Sequence, residues 1–207
     1  MPPKVKFQKD EILDAALTVV KTQGFSAVTA REVAKVLGVS TRPIFTYYDS
    51  MEQLKADIRE RAKDHYREYI QTGLKEPIPF LGVGHQYIRF AKDEPELYKI
   101  LFLTKPSEGR GGAMESLKFT QELLRESIMK IYKMDALTAD HYYRDLWFAA
   151  FSIATLIVTD DCPYTDEDIS EIFSQISLSL CMGFKKVPGL ATGDYDKDKF
   201  FSELVSK

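Results

Sequence analysis

The chain has 207 residues, of which 44% are hydrophobic and 29% charged, a composition typical of a globular protein and sufficient for one large domain or two smaller ones. Its two cysteines exclude a disulfide framework. The lack of a signal peptide argues against export, and the lack of about 18 successive apolar residues argues against a membrane span. We therefore expect a cytoplasmic protein. The net charge is −3, but residues 1–72 hold 12 lysines and arginines against 10 aspartates and glutamates, so contact with a polyanion is expected at this end only.

Helical periodicity extends over almost the whole chain, and no segment has the pattern of a β-hairpin, so the fold class we predict is all-α. The first predicted helix covers residues 9–23, where apolar side chains recur at helical spacing. Gly24 is expected to end this helix, with Phe25 folding back onto its last turn.

Residues 29–54 contain three helix starts separated by two short turns. Thr29 and Glu32 form a T-x-x-E capping box, which predicts the start of a second helix. Gly38 is suited to end that helix, and Ser40 is expected to cap a third one. Two short helices joined by such a turn predict a helix-turn-helix, the motif that places its second helix in the major groove of DNA.

The third helix has two faces of different character. Ile44, Phe45 and Tyr48 are expected to face the interior. On the other face, Arg42 is suited to bind a guanine O6/N7 edge through two hydrogen bonds. Thr29, at the positive end of the second helix, is a candidate phosphate contact. The candidate DNA-binding residues on or near this face are Thr29, Ser40, Thr41, Arg42, Pro43, Thr46 and Tyr47.

A fourth helix is predicted to begin after Ser50, which forms an S-x-x-Q box with Gln53, and to end near Thr72. Residues 73–79 have the composition of a linker. We therefore predict an N-terminal three-helix DNA-binding domain over residues 1–50, a connecting helix over 51–72, and a larger C-terminal helical domain for effector binding and dimerisation over 73–207. Helices in this last part are predicted at 79–92, 94–104, 114–133, 138–159, 166–186 and 196–206, with a glycine-rich loop at 105–112.

The C-terminal part is rich in aromatic residues, which suit a pocket for an apolar or aromatic small molecule. Aromatic residues at helical spacing also suit a plain core, and the sequence leaves both interpretations open. The candidate ligand-binding residues are Tyr87, Phe90, Tyr98, Phe102, Phe119, Tyr143, Trp147 and Phe151.

The sequence lacks the usual signatures of catalysis and metal binding. The run Gly109-Arg-Gly-Gly112 has no Lys-Ser/Thr of a phosphate loop, and there is no G-x-S-x-G motif. His85 and His141 stand without further ligands at metal spacing. We therefore expect no enzyme activity, no metal and no cofactor.

The two segments 138–159 and 166–186 are apolar over more than one face, so both sides of each helix require cover. A second copy of the chain is the simplest cover, because closed two-fold dimers are the commonest oligomers. The alternative is that both helices lie inside the core of one monomer. The candidate dimer residues are Leu156, Ile169, Ile172, Phe173, Ile176 and Leu180.

The run Phe7 to Leu54 resembles the N-terminal domain of the TetR/AcrR family of bacterial transcriptional regulators. The features that carry the resemblance are Gly24-Phe25, Thr29, Val33-Ala34, Gly38-Val39-Ser40, Ile44-Phe45, Tyr47-Tyr48, Ser50 and Glu52-Leu54. The resemblance implies that Tyr47 holds the DNA backbone. One departure is Met51, where the family commonly has a phosphate-binding lysine. Met51 cannot form this contact, which is lost unless Lys55 or the basic tail with Lys4 and Lys6 replaces it.

These observations together predict a ligand-responsive DNA-binding transcriptional regulator. The resemblance implies a repressor that binds a pseudo-palindromic operator as a homodimer and is released by a small apolar or aromatic molecule. The expected partners are thus double-stranded DNA, a second copy of the chain and a small-molecule effector, with no membrane. The alternative is a helical small-molecule binding protein without specific DNA recognition, and an enzyme built on a helical bundle is a remote third interpretation.

Overall fold

The computed structural model describes residues 7–104 and 112–205, except the side chain of Leu204. Within these ranges the chain forms helices and connecting turns, as the periodicity predicts. The predicted basic tail, and all of the predicted glycine-rich loop except Gly112, lie outside the described residues. The helices are α1 (Lys9–Gln23), α2 (Ala30–Leu37), α3 (Ile44–Tyr47), α4 (Met51–Gly73), α5 (Pro79–Asp93), α6 (Pro95–Tyr98), α7 (Ala113–Tyr132), α8 (Ala136–Val158), α9 (Asp166–Lys186) and α10 (Lys197–Val205).

The first three helices and the start of α4 form a small head with an apolar centre. Ile12, Val20, Val33, Ile44 and Leu54 are all fully buried there. They come from four different helices, so burial of their side chains holds the short helices α2 and α3 in place, which are too short to be stable alone.

The turns of the head depend on two glycines and one threonine. Gly24 follows α1 with φ +85° and Gly38 follows α2 with φ +69°, both in the region that only glycine adopts without strain. The Thr29 hydroxyl accepts the Glu32 N–H at 3.2 Å and so begins α2. The sequence therefore predicted the ends of α1 and α2 correctly.

The prediction that Ser40 caps the third helix is wrong. The recognition helix α3 begins after Pro43, and no side chain caps its first turn. Residues 41–43 form a turn, closed by the Ile44 N–H donating to the Thr41 carbonyl at 3.2 Å. Because this turn separates Ser40 from α3, its hydroxyl lies too far ahead of the helix to cap it.

The prediction that Phe45 faces the interior is also wrong. Ile44 and Tyr48 are buried, whereas 52% of the surface of Phe45 is exposed. Ile44 and Tyr48 are four residues apart and share one face of the helix, and Phe45 lies about 100° further round. A helix of one turn has room for only a narrow buried stripe, so the aromatic ring of Phe45 points away from it.

Helices α4 and α5 pack closely where their ends meet. A Cβ atom added to Gly73 would lie 2.6 Å from the backbone of Gly82, so the two backbones are in direct contact. The segment that the sequence suggested as a linker is thus a tight connection between two packed helices. We expect α4 to move together with α5 rather than independently of it.

The centre of the C-terminal part is an aromatic core. Tyr66 of α4 packs on Tyr87 and Phe90 of α5, with ring centroids 6.2 and 5.3 Å apart. A π-helical turn, Lys99–Leu103, extends α6 and places Phe102 at 5.3 Å from the Tyr66 ring. This core joins α4, α5 and α6 without a gap.

Helices α8 and α9 form one outer side of the molecule. Asp135 caps α8 by accepting the Thr138 N–H, and Thr165 with Asp168 forms a capping box at the start of α9. α8 has eight buried residues, but α9 buries only Ile169 within the described part of the chain. Helix α9 is therefore not enclosed in the core of a single chain. No helix in residues 7–104 and 112–205 is both long and apolar enough to cross a membrane.

Candidate nucleic-acid interface and interior cavity

The exposed side of the helix-turn-helix carries a mixed polar and aromatic surface. Thr41, Arg42, Phe45 and Thr46 are all exposed. Phe45 lies three residues after Arg42 and four after Thr41, the spacing that places side chains next to each other on a helical turn. The Thr46 hydroxyl donates to the Arg42 carbonyl at 3.3 Å, which leaves its oxygen available as an acceptor. We call these four residues the recognition surface.

Arg42 is the main charged group of the recognition surface. Its guanidinium forms no ion pair with any acidic residue that the structure describes. Other cations of the head are paired: Lys9 lies 2.6 Å from Asp57, and Lys35 lies 3.7 Å from Glu32. A free guanidinium on an exposed turn can bind phosphate or a base edge without first losing a partner.

The start of α2 adds a second cation beside Thr29. Arg31 is exposed and, like Arg42, has no acidic partner within residues 7–104 and 112–205. Thr29 is exposed as well, and the first turn of α2 has backbone N–H groups suited to phosphate. Sequence reasoning missed Arg31, although its position in the first turn of the predicted helix was the available signal.

Three of the predicted DNA-binding residues are not fully exposed. Pro43, Tyr47 and Lys55 are half-buried, whereas Ser40 is exposed. The Tyr47 hydroxyl donates to the Phe7 carbonyl at 2.7 Å, so it links α3 to the residues before α1. The Lys55 ammonium lies 5.9 Å from the centre of the Phe25 ring, beside the turn between α1 and α2.

A cavity of about 530 Å³ lies between α5, α7, α8 and α9. Of the predicted ligand-binding residues, Tyr87, Tyr143 and Trp147 form part of its wall. Phe151 stacks on Trp147 with ring centroids 5.3 Å apart and planes at 16°. The structure thus brings four of the predicted residues to the same region.

The other four predicted ligand-binding residues lie elsewhere. Phe90 and Tyr98 are fully buried in the aromatic core and have no contact with the cavity. Phe102 and Phe119 border a separate cavity of about 110 Å³ between α4 and α7. Aromatic residues at helical spacing therefore divide between core and cavity wall, and spacing alone does not separate the two groups.

Sequence reasoning missed the contribution of α9 to the cavity. Ser170, Ser174, Ser177 and Cys181 line it from this helix. They recur at intervals of three or four residues, the spacing of one helical face, so a small polar stripe in the sequence was the available signal. Phe80 of α5, Tyr132 of α7 and Phe173 of α9 are aromatic residues of the wall that the ligand-binding prediction did not select.

Hydroxyl groups around the cavity form two short hydrogen-bonded chains. The hydroxyls of Tyr87 and Tyr98 lie 3.1 Å apart. In the second chain, the Ser177 hydroxyl lies 2.6 Å from that of Tyr142, which donates to the Tyr132 hydroxyl at 3.4 Å. Burial raises the pKa values of Tyr87 and Tyr142, so both remain neutral hydroxyls at physiological pH.

The described residues contain no group of three or more His, Cys, Asp or Glu side chains that could hold a metal ion.

The described part of the chain presents two candidate binding features: the recognition surface of a helix-turn-helix and an apolar cavity in the helical body. Helix-turn-helix heads on helical bodies of this kind define a class of DNA-binding transcriptional regulators.

Comparison with known proteins relates the head of this chain to a family of bacterial regulators. Residues 12–58 match the model of the bacterial regulatory proteins of the tetR family. The HTH-type transcriptional regulator YfiR of Bacillus subtilis is 37% identical over 83 residues, which cover 38% of this chain and 35% of YfiR. IcaR of Staphylococcus epidermidis, a negative transcriptional regulator of the biofilm operon icaADBC, is 21% identical over 73% of this chain and 89% of IcaR. Residues 12–58 of this chain are thus similar to the bacterial regulatory proteins of the tetR family.

Solved structures of similar fold support the same architecture over most of the chain. A TetR-like transcriptional regulator from Rhodococcus sp. RHA1 superimposes with a TM-score of 0.60 at 15% identity, over 86% of this chain and 96% of that protein. A single-residue variant of TetR from Acinetobacter baumannii, in complex with minocycline, superimposes with a TM-score of 0.55 at 16% identity, over 87% of this chain and 98% of that protein.

Proposed function

We propose that this protein is a homodimeric transcriptional repressor that binds a pseudo-palindromic operator and leaves it when a small apolar or aromatic molecule fills the cavity between α5, α7, α8 and α9. The observation that carries the proposal is the recognition surface, where the Arg42 guanidinium is exposed and has no acidic partner among the described residues. The protein is not proposed as an enzyme.

The charges of the head support DNA binding at this surface. Arg31 at the start of α2 and Arg42 before α3 are the exposed arginines of the motif, and neither is neutralised by a described carboxylate. We propose that Arg42 reads a base edge, with Thr41 and Thr46 beside it. Arg31 and the first turn of α2, with Thr29, hold phosphates. Ser40 and Pro43 lie next to Arg42 in the chain and border the DNA contact. The half-buried Tyr47 and Lys55 hold the helices that carry this contact in place.

The outer side of α8 and α9 supports the homodimer. Phe148, Leu178 and Met182 are large apolar side chains with 45%, 61% and 44% of their surfaces exposed. The half-buried Leu156, Ile172, Phe173, Ile176 and Leu180 lie on the same two helices. Apolar surface of this extent, on two neighbouring helices, is stabilised by packing against a copy of itself.

Dimerisation also compensates for the low DNA affinity expected of a single head. Each head offers few cations to phosphate, and two heads joined by one interface bind two half-sites with much higher affinity than one. We expect the half-site centres to be separated by roughly 34–36 Å or multiples, the repeat of the DNA helix.

The test is selection of bound sequences from a random DNA pool by the full-length protein, followed by titration of the selected site at several salt concentrations. We expect a two-fold symmetric site and a steep loss of affinity with salt. Arg42→Ala should weaken binding and relax the preference at the contacted base by about 1–3 kcal/mol. Arg42→Lys should keep much of the affinity but not the preference, because lysine cannot form the two parallel hydrogen bonds.

Lys118→Ala is the matched control, because Lys118 is an exposed cation of α7 outside the head. Its removal changes the net charge as Arg42→Ala does, and operator affinity should stay within about twofold if the effect of Arg42 is local. Failure to select any site would instead favour the alternative function, a helical small-molecule binding protein without specific DNA recognition.

A further inference from the structure

The wall of the cavity between α5, α7, α8 and α9 is apolar and carries few charged groups. Among the described residues that line it there is no lysine, arginine, aspartate or glutamate. His85 stands at the edge, where 63% of its side chain is exposed and its Nδ1 lies 3.7 Å from a Glu76 oxygen. An ionised carboxylate or ammonium group inside this cavity would lose its hydration without gaining an opposite charge.

The body of the cavity is built for flat apolar groups. Trp147 packs on Phe151 at 5.3 Å and on Tyr87 at 6.1 Å, which fixes the indole as a rigid part of the wall. Phe80 closes the α5 side and lies 5.5 Å from the Tyr132 ring. Aromatic rings bind best against such fixed faces, in stacked or edge-to-face arrangements.

Two polar groups at this wall have a proton without an acceptor among the described residues. In the chain of hydroxyls, the Tyr142 proton is donated to Tyr132, and the Ser177 hydroxyl is left to donate to Tyr142. The Tyr132 proton has no acceptor among the described residues. The indole Nε1–H of Trp147 is buried and likewise has no acceptor in the described part of the chain. An unmatched donor beside an apolar cavity favours a ligand with a matching acceptor.

We propose that the effector is an uncharged, planar aromatic molecule whose carbonyl or ether oxygen accepts the hydrogen bond of Tyr132. This inference rests on the proposed function for the role of the cavity, and it adds the chemical class of the molecule that fills it. Ser177 and Tyr142 stabilise the contact, because a hydroxyl that accepts a hydrogen bond becomes a better donor. Carboxylates such as fatty acids are excluded from this class.

Three probes with the same ring system test the proposal: 9-fluorenone, which has the acceptor, fluorene, which lacks it, and 9-oxofluorene-4-carboxylate, which adds a negative charge. Trp147 is the only tryptophan of the chain, so its fluorescence reports binding at this cavity. We expect saturable quenching by 9-fluorenone, binding of fluorene weaker by about 2- to 10-fold, and still weaker binding of the carboxylate.

Tyr132→Phe keeps the aromatic ring and removes only the hydroxyl. We expect this variant to bind 9-fluorenone and fluorene with similar affinity, and its unchanged affinity for fluorene serves as the check on folding. Tyr164→Phe is the matched control, because the Tyr164 side chain is exposed in the connection between α8 and α9 and does not line the cavity. It should retain the preference for 9-fluorenone.

The proposal is overturned if none of the probes binds, if the carboxylate binds as tightly as 9-fluorenone, or if Tyr132→Phe keeps the preference of the wild-type protein. Operator binding is measured on the same preparations, so the two proposals fail separately. Operator binding without probe binding contradicts the ligand class only. Probe binding with this order of affinities, in a protein that selects no DNA site, contradicts the proposed repressor and leaves the ligand class standing.

Discussion

The Lys21 ammonium lies 2.8 Å from a carboxylate oxygen of Glu94, and this ion pair joins α1 in the head to the corner between α5 and α6 in the body. Glu94 is followed by the one-turn helix α6, on which Tyr98 meets Tyr87 of the cavity wall through their hydroxyls. The Tyr87–Tyr98 contact, α6 and this ion pair therefore connect the cavity wall to the head, and we expect a ligand that displaces Tyr87 to act on the head by this route.

We predict that Lys21→Met or Glu94→Gln reduces the effect of a ligand in the cavity on operator affinity, while the stability of the fold stays nearly unchanged. The pair is partly exposed, so its loss should lower the free energy of unfolding by no more than about 1 kcal/mol. The measured quantity is the ratio of operator affinities without and with saturating 9-fluorenone, which should fall toward one. Arg67→Met is the control, since Arg67 pairs with Asp64 within α4. An unchanged ratio in both Lys21 and Glu94 variants would rule out this route.

Tyr47 is expected to act through Phe7 rather than by contacting DNA itself. Tyr47→Phe removes the hydrogen bond of 2.7 Å to the Phe7 carbonyl, and the free energy of unfolding in urea should fall by about 0.5–1.5 kcal/mol. Operator affinity should fall by less than about threefold, because the substitution removes no direct contact with DNA. A variant with wild-type stability but more than tenfold weaker operator binding would instead assign the hydroxyl to the DNA backbone.

Phe45 and Ile44 offer a direct contrast between surface and core. Phe45→Ala removes an exposed ring, so stability should change by less than about 0.5 kcal/mol while operator binding weakens, because the ring belongs to the recognition surface. Ile44→Ala removes a fully buried side chain and should cost about 2–5 kcal/mol of unfolding free energy. Urea denaturation and operator titration of the two variants give the comparison. Equal destabilisation by both would mean that Phe45 is packed in the core.

The contact between α4 and α5 makes a prediction about two glycines. Gly73→Ala places a Cβ atom 2.6 Å from the Gly82 backbone. It should lower the free energy of unfolding by about 3 kcal/mol or more, the upper end of the usual cost of overpacking. Gly84→Ala, on α5, meets nothing within 4 Å and should stabilise the helix by about 0.5–1 kcal/mol. Thermal unfolding of both variants is the measurement, and a tolerated Gly73→Ala would show that the helices can separate there.

Leu178→Glu should convert the proposed dimer to a monomer. Leu178 has 61% of its surface exposed on α9, and a carboxylate buried in a self-associated face has no counter-charge. Leu123→Glu is the control, because Leu123 is exposed on α7, outside the proposed interface. Sedimentation velocity at micromolar concentration should give a dimer for the wild-type and Leu123→Glu proteins. A monomeric wild-type protein would exclude the interface.

Helix positions were predictable because apolar periodicity and caps are local properties. The structure places α1 at residues 9–23 and α9 at 166–186, as the sequence predicts. Phe45 and Ser40 were placed wrongly because α3 is a single turn that begins later than the serine suggests. The late start of α3 explains the error at Ser40, and the narrow buried stripe of a one-turn helix explains the error at Phe45.

The cavity was predictable only in part. Phe90 and Trp147 are both aromatic and buried, yet only Trp147 lines the cavity. The difference depends on how far apart α5, α8 and α9 lie, and this distance is set by packing among residues remote in sequence. The serines of α9 carried the missing information, because small side chains at helical spacing leave space beside a helix.

The close contact of Gly73 with Gly82 ties the C-terminal end of α4 to α5. The helix has 23 residues and so extends about 34 Å from this point to Met51, directly after the recognition helix. Over that arm, a rotation of about 5° displaces the far end by about 3 Å, simply from the length of the helix. We therefore expect that a small rotation of α5 at the cavity wall, carried by α4, is large enough at the other end of α4 to move the recognition surface out of register with a groove of DNA.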